Sequence, residues 1–234
     1  MSALNLFLGW DSREDVAYQV AQKSCQANSS RRVEVHPLKV PDLYARRLLW
    51  RPVERDDGQM MDHLSNAPQS TEFAASRFLV PLIHKKGWAL FTDSDVVFLG
   101  DVAELFALAD PRYAVQVVKH QHNPSETTKM DGQAQLAYHR KNWSSVCLWH
   151  CDHPAHLRLS LSMVNHYPGE LLHRFFWLKD SEIGDLPAEW NWLVGVQPKP
   201  AEPKIAHFTK GVPIMPGYEN SEHSEIWWKA HRGL

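Results

Sequence analysis

The sequence predicts a single α/β domain with a central, mostly parallel sheet flanked by helices. Short apolar, β-branched segments alternate along the chain with amphipathic segments of helical length, which is typical of an open α/β sheet. The 234 residues suffice for one large domain with a substantial core. Charged residues make up 22% of the chain and the formal net charge is −2. Because this charge gives no overall attraction to nucleic acid, we expect no nucleic-acid partner.

The first half of the chain shows this alternation most clearly. In order, it is predicted to form a strand over 4–10, a helix over 14–27, a strand over 33–40, a polar loop over 44–68 and a helix from 70 towards 84. Asp11 or Ser12 stands where the N-terminus of the first helix is expected. The loop is predicted because residues 44–68 are rich in charged side chains. Pro81 is expected to kink or end the second helix.

The second half is predicted to continue the sheet. Its elements are two strands within 88–99, a helix over 102–109, strands over 113–119 and 145–151, helices over 155–166 and 170–178, a short strand over 204–208 and a polar tail. In open α/β sheets ligands bind beyond the carboxyl ends of the strands. Asp11, Asp93 and Asp95 all follow predicted strands, so we expect them at one edge of the sheet.

The strongest functional motif is Asp93-Ser94-Asp95, inside the apolar segment 88–99. Burying an ionised carboxylate costs several kcal/mol unless it is paired, and a second one beside it adds repulsion. A hard divalent cation between the two carboxylates would satisfy both. The alternative is a structural turn whose acids cap the following helix.

A second motif follows the strand predicted over 204–208. His207 ends this apolar segment, and Lys210 and Gly211 follow in a turn. An imidazole there can complete a carboxylate metal site, and an ammonium group can bind phosphate. The alternatives are a core histidine and an ordinary exposed lysine.

With these motifs in place, the chain resembles glycosyltransferase family 8, the glycogenin-like retaining enzymes. The segments that carry the resemblance are 6–11, 70–81, 144–148, 180–191 and 207–211, together with the Asp-x-Asp motif. The resemblance implies the glycosyltransferase A-type fold for one domain over 1–234. Residues 1–110 would form a nucleotide-binding half, and residues 111–234 a half that completes the metal site and binds the acceptor.

The resemblance also implies roles for individual residues. Asp93, Asp95 and His207 would bind Mn²⁺ or Mg²⁺. The donor nucleotide-sugar would be contacted by Asp11 at the nucleoside, by Arg77 at the diphosphate or sugar, by Lys210 and Gly211 at the pyrophosphate, and by Ser144 and Ser145 beside the sugar. From the residues alone, Asp11 is equally a helix cap, and Arg77 a partner for Glu72 or Glu104.

Asp180 is the one candidate for a catalytic nucleophile beside the anomeric carbon, with an ordinary loop carboxylate as the alternative. Two positions depart from the family pattern. Trp143 replaces an asparagine beside the donor sugar, and Ser181 replaces the glutamine that follows the aspartate at 180.

Together these features predict a metal-dependent glycosyltransferase. It would move a sugar, with retention, from a nucleotide-diphosphate donor such as a UDP-sugar to a glycan, a lipid-linked sugar or another hydroxyl acceptor. The alternatives are a non-catalytic nucleotide-sugar-binding protein and a metal-dependent phosphohydrolase or nuclease.

Cysteine usage and hydropathy predict a cytoplasmic protein, with attachment at the inner face of the membrane as an alternative. Cys25, Cys147 and Cys151 are odd in number and lack CxxC spacing, which indicates reduced thiols in the core. The N-terminus has no basic segment typical of a signal sequence, and no segment approaches the ~20 apolar residues of a membrane span.

Overall fold

The computed structural model describes residues 2–56, 59–120, 140 and 143–233, which form twelve strands and seven α-helices. The strands are β1 Leu4–Gly9, β2 Val33–Leu38, β3 Val53–Asp56, β4 Gln59–Asp62, β5 Ala67–Gln69, β6 Trp88–Thr92, β7 Val96–Phe98, β8 Val115–Val117, β9 Val146–His150, β10 Ile183–Asp185, β11 Trp192–Leu193 and β12 Ile205–His207. The α-helices are α1 Asp15–Asn28, α2 Val40–Ala45, α3 Val80–His84, α4 Val102–Ala107, α5 Leu161–His166, α6 Gly169–His173 and α7 Ser224–Arg232.

The central sheet has six strands in the order β10-β8-β9-β6-β1-β2. The β1–β2, β1–β6 and β8–β10 pairs are parallel, whereas β9 is antiparallel to both of its neighbours. Successive residues of β1 point to opposite faces, so Leu6 and Leu8 enter one hydrophobic cluster and Phe7 another. Burial on both faces explains the nearly continuous apolar strands. The predicted single α/β domain is confirmed.

Residues 44–68 correct one prediction. The expected loop contains a three-stranded antiparallel sheet in the order β3-β4-β5, preceded by α2. Only Met60 and Asp62 are buried in β4, and Glu54 and Arg55 of β3 are exposed. Because this small sheet buries so little apolar surface, its strands lack the hydrophobic alternation that would have revealed them.

Three helices are shorter than predicted. The helix predicted over 170–178 ends at His173, and the other two are interrupted. The segment 70–84 passes through turns and a 3₁₀ helix at Ser76–Leu79 before α3 begins, and Pro81 lies in the first turn of α3, where its missing N–H costs no hydrogen bond. The helix predicted over 155–166 is split into a 3₁₀ helix at Pro154–Arg158 and α5. Ser160 separates the two, because its hydroxyl accepts a hydrogen bond from the Met163 amide and starts α5.

Another three-stranded sheet, in the order β11-β12-β7, shares a hydrophobic cluster with the C-terminal helix. Strand β12 pairs with β11 in parallel and with β7 in antiparallel orientation. The prediction of a polar tail after β12 is wrong, because α7 packs its fully buried Trp227 into a cluster with Trp192 and Phe208. The polar residues of α7 lie on the opposite face. Because they are interleaved with the apolar stripe along the sequence, the segment resembles a polar tail.

Two further expectations concern the thiols and the membrane. Cys25, Cys147 and Cys151 are free and buried, as predicted. Burial raises the pKa of the Cys25 thiol to about 12, so this thiol is protonated at neutral pH. Within the described residues, no helix has both the length and the apolar character needed to cross a bilayer.

The packing of α7 yields a stability prediction. We expect Trp227→Ala to lower the free energy of unfolding by about 3–5 kcal/mol, because a large, fully buried side chain is removed from a closed cluster. Urea denaturation followed by circular dichroism measures this change. Trp50→Ala is the matched control, because Trp50 is 40% exposed and should cost much less. Equal losses for the two variants would show that α7 is not an integral part of the fold.

Candidate metal centre and adjoining cleft

The turn of Asp93, Ser94 and Asp95 connects the central sheet to the three-stranded sheet of β11, β12 and β7. Strand β6 enters it from the central sheet, and β7 leaves it to join that three-stranded sheet. The Asp93 amide donates to the Ser145 carbonyl over 3.0 Å, and the Asp95 carbonyl accepts from the Phe208 amide over 2.8 Å. The register of β7 and β12 pairs Val96 with His207. Strand pairing therefore brings the imidazole to the two carboxylates.

These three side chains form a compact donor set. One ligand atom from each of Asp93, Asp95 and His207 lies within 4.8 Å of the other two. The Asp95 Oδ1 and His207 Nε2 atoms are 3.1 Å apart, and the His207 side chain is only 2% exposed. Carboxylate oxygens combined with one imidazole nitrogen suit Mn²⁺, and the carboxylates also suit Mg²⁺. The residues present therefore fit a divalent cation.

Asn191 orients His207 towards the carboxylates. Its Oδ1 atom is 2.9 Å from His207 Nδ1, and its Nδ2 group donates to the Ser145 hydroxyl over 2.9 Å. With Nδ1 carrying the proton shared with Asn191, the Nε2 lone pair faces Asp95. A lone pair so close to a carboxylate oxygen is stable only with a cation between them, either a proton or a metal ion. The sequence placed Asn191 in a matched segment but gave it no role.

Arg77 contacts the metal centre directly. It lies in the 3₁₀ helix Ser76–Leu79, and its Nη1 is 2.8 Å from Asp93 Oδ1. The same guanidinium donates to the Ser144 and Ala74 carbonyls, each over 3.0 Å. Glu72 and Glu104, the partners that the sequence offered for Arg77 as an alternative, have other contacts: Glu72 accepts from Ser12, and Glu104 accepts from Lys204. Arg77 therefore places a buried positive charge beside the Asp-x-Asp motif.

The metal centre opens on a cleft of about 260 Å³. Its walls come from the segment 62–78, the Asp-x-Asp turn, the 3₁₀ helix Trp143–Ser145 and α6. The predicted site residues Arg77, Ser144 and Ser145 line it beside the metal centre, and so does Thr209. Thus the structure gathers most of the residues chosen from the sequence around one cavity.

A buried ion pair in the cleft wall was missed by the sequence. Arg51 Nη2 lies 2.5 Å from Asp62 Oδ2, and the two side chains are 2% and 5% exposed. Arg51 also donates to the Val164 and Tyr167 carbonyls. Ser65 hydrogen bonds to Asp62 and accepts from the Gly169 amide at the start of α6. These contacts fasten the small sheet to α5 and α6.

Asp11 is fully buried and does not line the cleft. Its carboxylate accepts from the Arg13 side chain at 2.7 and 2.9 Å and from the Glu72 amide at 3.0 Å. Burial by itself would raise the pKa of Asp11, but the hydrogen bonds from Arg13 and Glu72 hold it below its ordinary value. Asp11 thus joins the loop after β1 to the segment that borders the cleft. Its predicted contact with a nucleoside stays a prediction.

Asp180, Lys210 and Gly211 also lie outside the cleft lining. The Asp180 side chain is 85% exposed and forms an ion pair with Arg140. Gly211 adopts a φ of +151° beside the Tyr218 ring, which leaves no room for a Cβ atom. The roles predicted for these residues stay predictions. Residues 130–142 lie outside the described residues except for Arg140.

Comparison with known proteins places this chain among its relatives. It is 43% identical over 228 residues to Protein CDI of Arabidopsis thaliana, which covers 95% of this chain and 83% of that relative. The chain belongs to the family of Protein CDI. No protein-family model matches the chain.

Solved glycosyltransferase structures share its fold. The bifunctional glycosyltransferase WbbM superposes with a TM-score of 0.64 at 14% identity, over 98% of this chain and 50% of that one. GlyE of Streptococcus pneumoniae TIGR4 gives 0.62 at 14% identity, over 99% of this chain and 60% of that one. The galactosyltransferase LgtC, in complex with donor and acceptor sugar analogues, gives 0.61 at 13% identity, over 99% and 96%. The chain thus spans less than two thirds of WbbM and of GlyE. The predicted glycosyltransferase A-type fold is confirmed.

The buried ion pair yields a second stability prediction. We expect Arg51→Met to lower the free energy of unfolding by about 3–5 kcal/mol, because it leaves the Asp62 carboxylate buried without its cation. Arg51→Met combined with Asp62→Leu should recover part of the loss, since no charge is then left buried. Chemical denaturation measures both variants.

The control for this prediction is Arg112→Met. It breaks an ion pair with Asp110 in which the Arg112 side chain is 76% exposed. An equal loss of unfolding free energy in Arg112→Met would contradict the claim that burial makes the Arg51–Asp62 pair costly to break.

Proposed function

We propose that this chain is a metal-dependent glycosyltransferase that uses a nucleotide-diphosphate sugar, with a UDP-sugar as the first candidate donor. The observation that carries the proposal is the Asp93, Asp95 and His207 donor set, whose ligand atoms lie within 4.8 Å of one another. It lies at the carboxyl ends of β6 and β12, in the fold of glycosyltransferases. A glycan or another hydroxyl compound would be the acceptor.

The charges around the donor set suit a diphosphate leaving group. A bound Mn²⁺ or Mg²⁺ would neutralise phosphate charge as the bond to the anomeric carbon breaks. The Arg77 guanidinium lies 2.8 Å from Asp93 and so can neutralise part of the negative charge of the same diphosphate. Asn191 keeps the His207 Nε2 atom directed at the site. These residues hold and orient the leaving group and place its developing charge against fixed cations.

Transfer with retention of configuration is part of the proposal. Four carboxylates line the cleft among the described residues: Asp62, paired with Arg51; Asp93 and Asp95 at the metal centre; and Glu170, paired with Arg174. Departure and attack on the same face of the sugar need no protein nucleophile, because the leaving phosphate accepts the acceptor's proton. The exposed position of Asp180 supports this route over a double displacement through Asp180.

A second candidate is a protein that binds a nucleotide-sugar without transferring it. Trp143 stands where glycosyltransferase family 8, which the sequence resembles, has an asparagine. Its indole N–H donates to the His120 carbonyl over 3.1 Å, and it offers no amide to a sugar. This candidate predicts metal-dependent nucleotide binding without turnover. The two candidates are separated by incubating the protein with Mn²⁺ and UDP-glucose or UDP-galactose and measuring UDP release with and without sugar acceptors. Equal release in both conditions would instead indicate a hydrolase.

Nucleotide binding is tested by thermal unfolding with UDP, GDP, CMP and TDP, each with and without Mn²⁺. We expect one nucleoside diphosphate to raise the Tm only when Mn²⁺ is present, because a ligand of the folded state at a hundredfold excess over Kd adds about 2.7 kcal/mol. Asp95→Asn should abolish the rise. Asp42→Asn is the control, since Asp42 is exposed on α2 outside the cleft. The absence of any shift in the unaltered protein would contradict nucleotide binding.

The role of Asn191 predicts a change in metal affinity. We expect Asn191→Ala to weaken Mn²⁺ binding about 10- to 100-fold, because the partner that fixes the orientation of a histidine ligand is lost. Titration of free Mn²⁺ by electron paramagnetic resonance gives the dissociation constants.

Asn165→Ala is the matched control. Asn165 is equally buried, but it binds the Leu48 and Leu161 carbonyls away from the metal centre. Unchanged Mn²⁺ affinity in Asn191→Ala would contradict a metal-binding role for His207.

A further inference from the structure

The cleft contains a serine–histidine pair. The family resemblance places Ser144 beside the donor sugar but gives His173 no role. Ser144 Oγ and His173 Nδ1 are 2.8 Å apart, and both residues line the cleft. Ser144 comes from the 3₁₀ helix Trp143–Ser145, and His173 is the last residue of α6. The two lie 29 positions apart in sequence. The pair therefore exists only because the fold brings α6 against the cleft wall.

The surroundings of His173 keep its imidazole neutral. Burial lowers its pKa well below the ordinary value, and the positive charges of Arg77 and Arg51 lower it further. The ring meets Phe78 edge to face, with centroids 5.2 Å apart. An imidazole in this position adds no positive charge to the cleft. It acts as a hydrogen-bonding group of fixed orientation.

The backbone around Ser144 fixes the distance of this pair from the metal centre. The Ser144 carbonyl accepts from Arg77, which also contacts Asp93, and the next carbonyl, that of Ser145, accepts from the Asp93 amide. Ser144 thus binds through its carbonyl to Arg77, which is expected to contact the diphosphate, while its hydroxyl faces His173 of α6. A sugar attached to that diphosphate would lie within reach of the hydroxyl.

The chemistry of the pair favours a hydroxyl group over a phosphate. Positive charges, namely Arg77 and a divalent cation held by the metal ligands, suit the diphosphate. A neutral hydroxyl–imidazole pair suits a neutral partner that can both donate and accept. If Ser144 donates to Nδ1, its oxygen can accept from a sugar hydroxyl. If Nδ1–H donates to Ser144, the serine can donate to the sugar.

We propose that His173 is a positioning residue that holds the Ser144 hydroxyl against a hydroxyl group of the donor sugar. This inference rests on the proposed function and extends it by assigning the wall formed by α6 to the sugar moiety. The Ser144 hydroxyl makes the contact with the sugar, and His173 acts through it. The pair therefore contributes to the selection of the sugar and not to the binding of the nucleotide.

The test compares UDP with a UDP-sugar in the presence of Mn²⁺. Isothermal titration gives the Kd of UDP and of whichever of UDP-glucose and UDP-galactose binds the unaltered protein more tightly. We expect Ser144→Ala and His173→Phe to weaken binding of the UDP-sugar about three- to tenfold, the value of one neutral hydrogen bond. The Kd of UDP should stay within about twofold, because the nucleotide does not touch the pair.

Two further variants make the result specific. His173→Asn returns a polar atom near the position of Nδ1 and should restore most of the affinity for the UDP-sugar. If His173 served only to fill space, affinity would stay low in His173→Asn. Ser162→Ala is the matched control, because Ser162 forms a comparable pair with His166 over 3.3 Å on the exposed side of α5. Ser144→Ala removes one oxygen atom and keeps the test open if His173→Phe does not fold.

The outcomes separate the inference from the proposed function. Unaltered protein that binds neither UDP nor either UDP-sugar contradicts the proposed function. Unaltered protein that binds them, with Ser144 and His173 variants that bind both ligands normally or lose both equally, contradicts only the role of His173.

Discussion

The structure depends most on the concentration of negative charge at one turn between two sheets. Asp93 and Asp95 lie in the turn that follows β6, and the pairing of β7 with β12 places the His207 imidazole beside them. Ionised groups at this density are stable in a protein interior only beside positive charge. Arg77 meets part of that need, and the arrangement of the remaining donor atoms suits a divalent cation. The rest of the cleft is arranged around this requirement.

Three separate elements hold that turn in place, and each also shapes the cleft. The 3₁₀ helix Trp143–Ser145 binds the Asp93 amide, the Ser76–Leu79 helix supplies Arg77, and Asn191 bridges Ser145 and His207. Farther along the wall, the contacts of Arg51 with α5 and of Ser65 with α6 fasten the small sheet to those helices. Metal centre and cleft wall are thus parts of one hydrogen-bonded framework, joined at Ser144 and His173.

Local sequence revealed the parts of the site that lie at strand ends. Asp93 and His207 lie at the ends of apolar segments, and Asp95 lies two residues after Asp93, so the hydrophobic pattern placed all three at the edge of a sheet. Arg51 and Asp62 were not predictable, because a buried ion pair inside a polar segment has the same composition as a solvated loop. The His173 contact was hidden because it depends on where α6 packs. The helix α7 was missed because Trp227 is its one buried side chain, and its other apolar residues are only partly buried among charged and polar ones.

The environment of Arg77 has a consequence for how a ligand is received. Its guanidinium is anchored to two carbonyl groups and flanked by the rings of Phe73 and Phe91, whose centroids lie 5.5 and 5.1 Å away. A long, flexible side chain loses most of its rotational freedom on being fixed in this way. Here that loss occurs when the chain folds. An arriving anion therefore meets a cation that is already ordered, so little of the free energy of their attraction is lost to fixing the side chain.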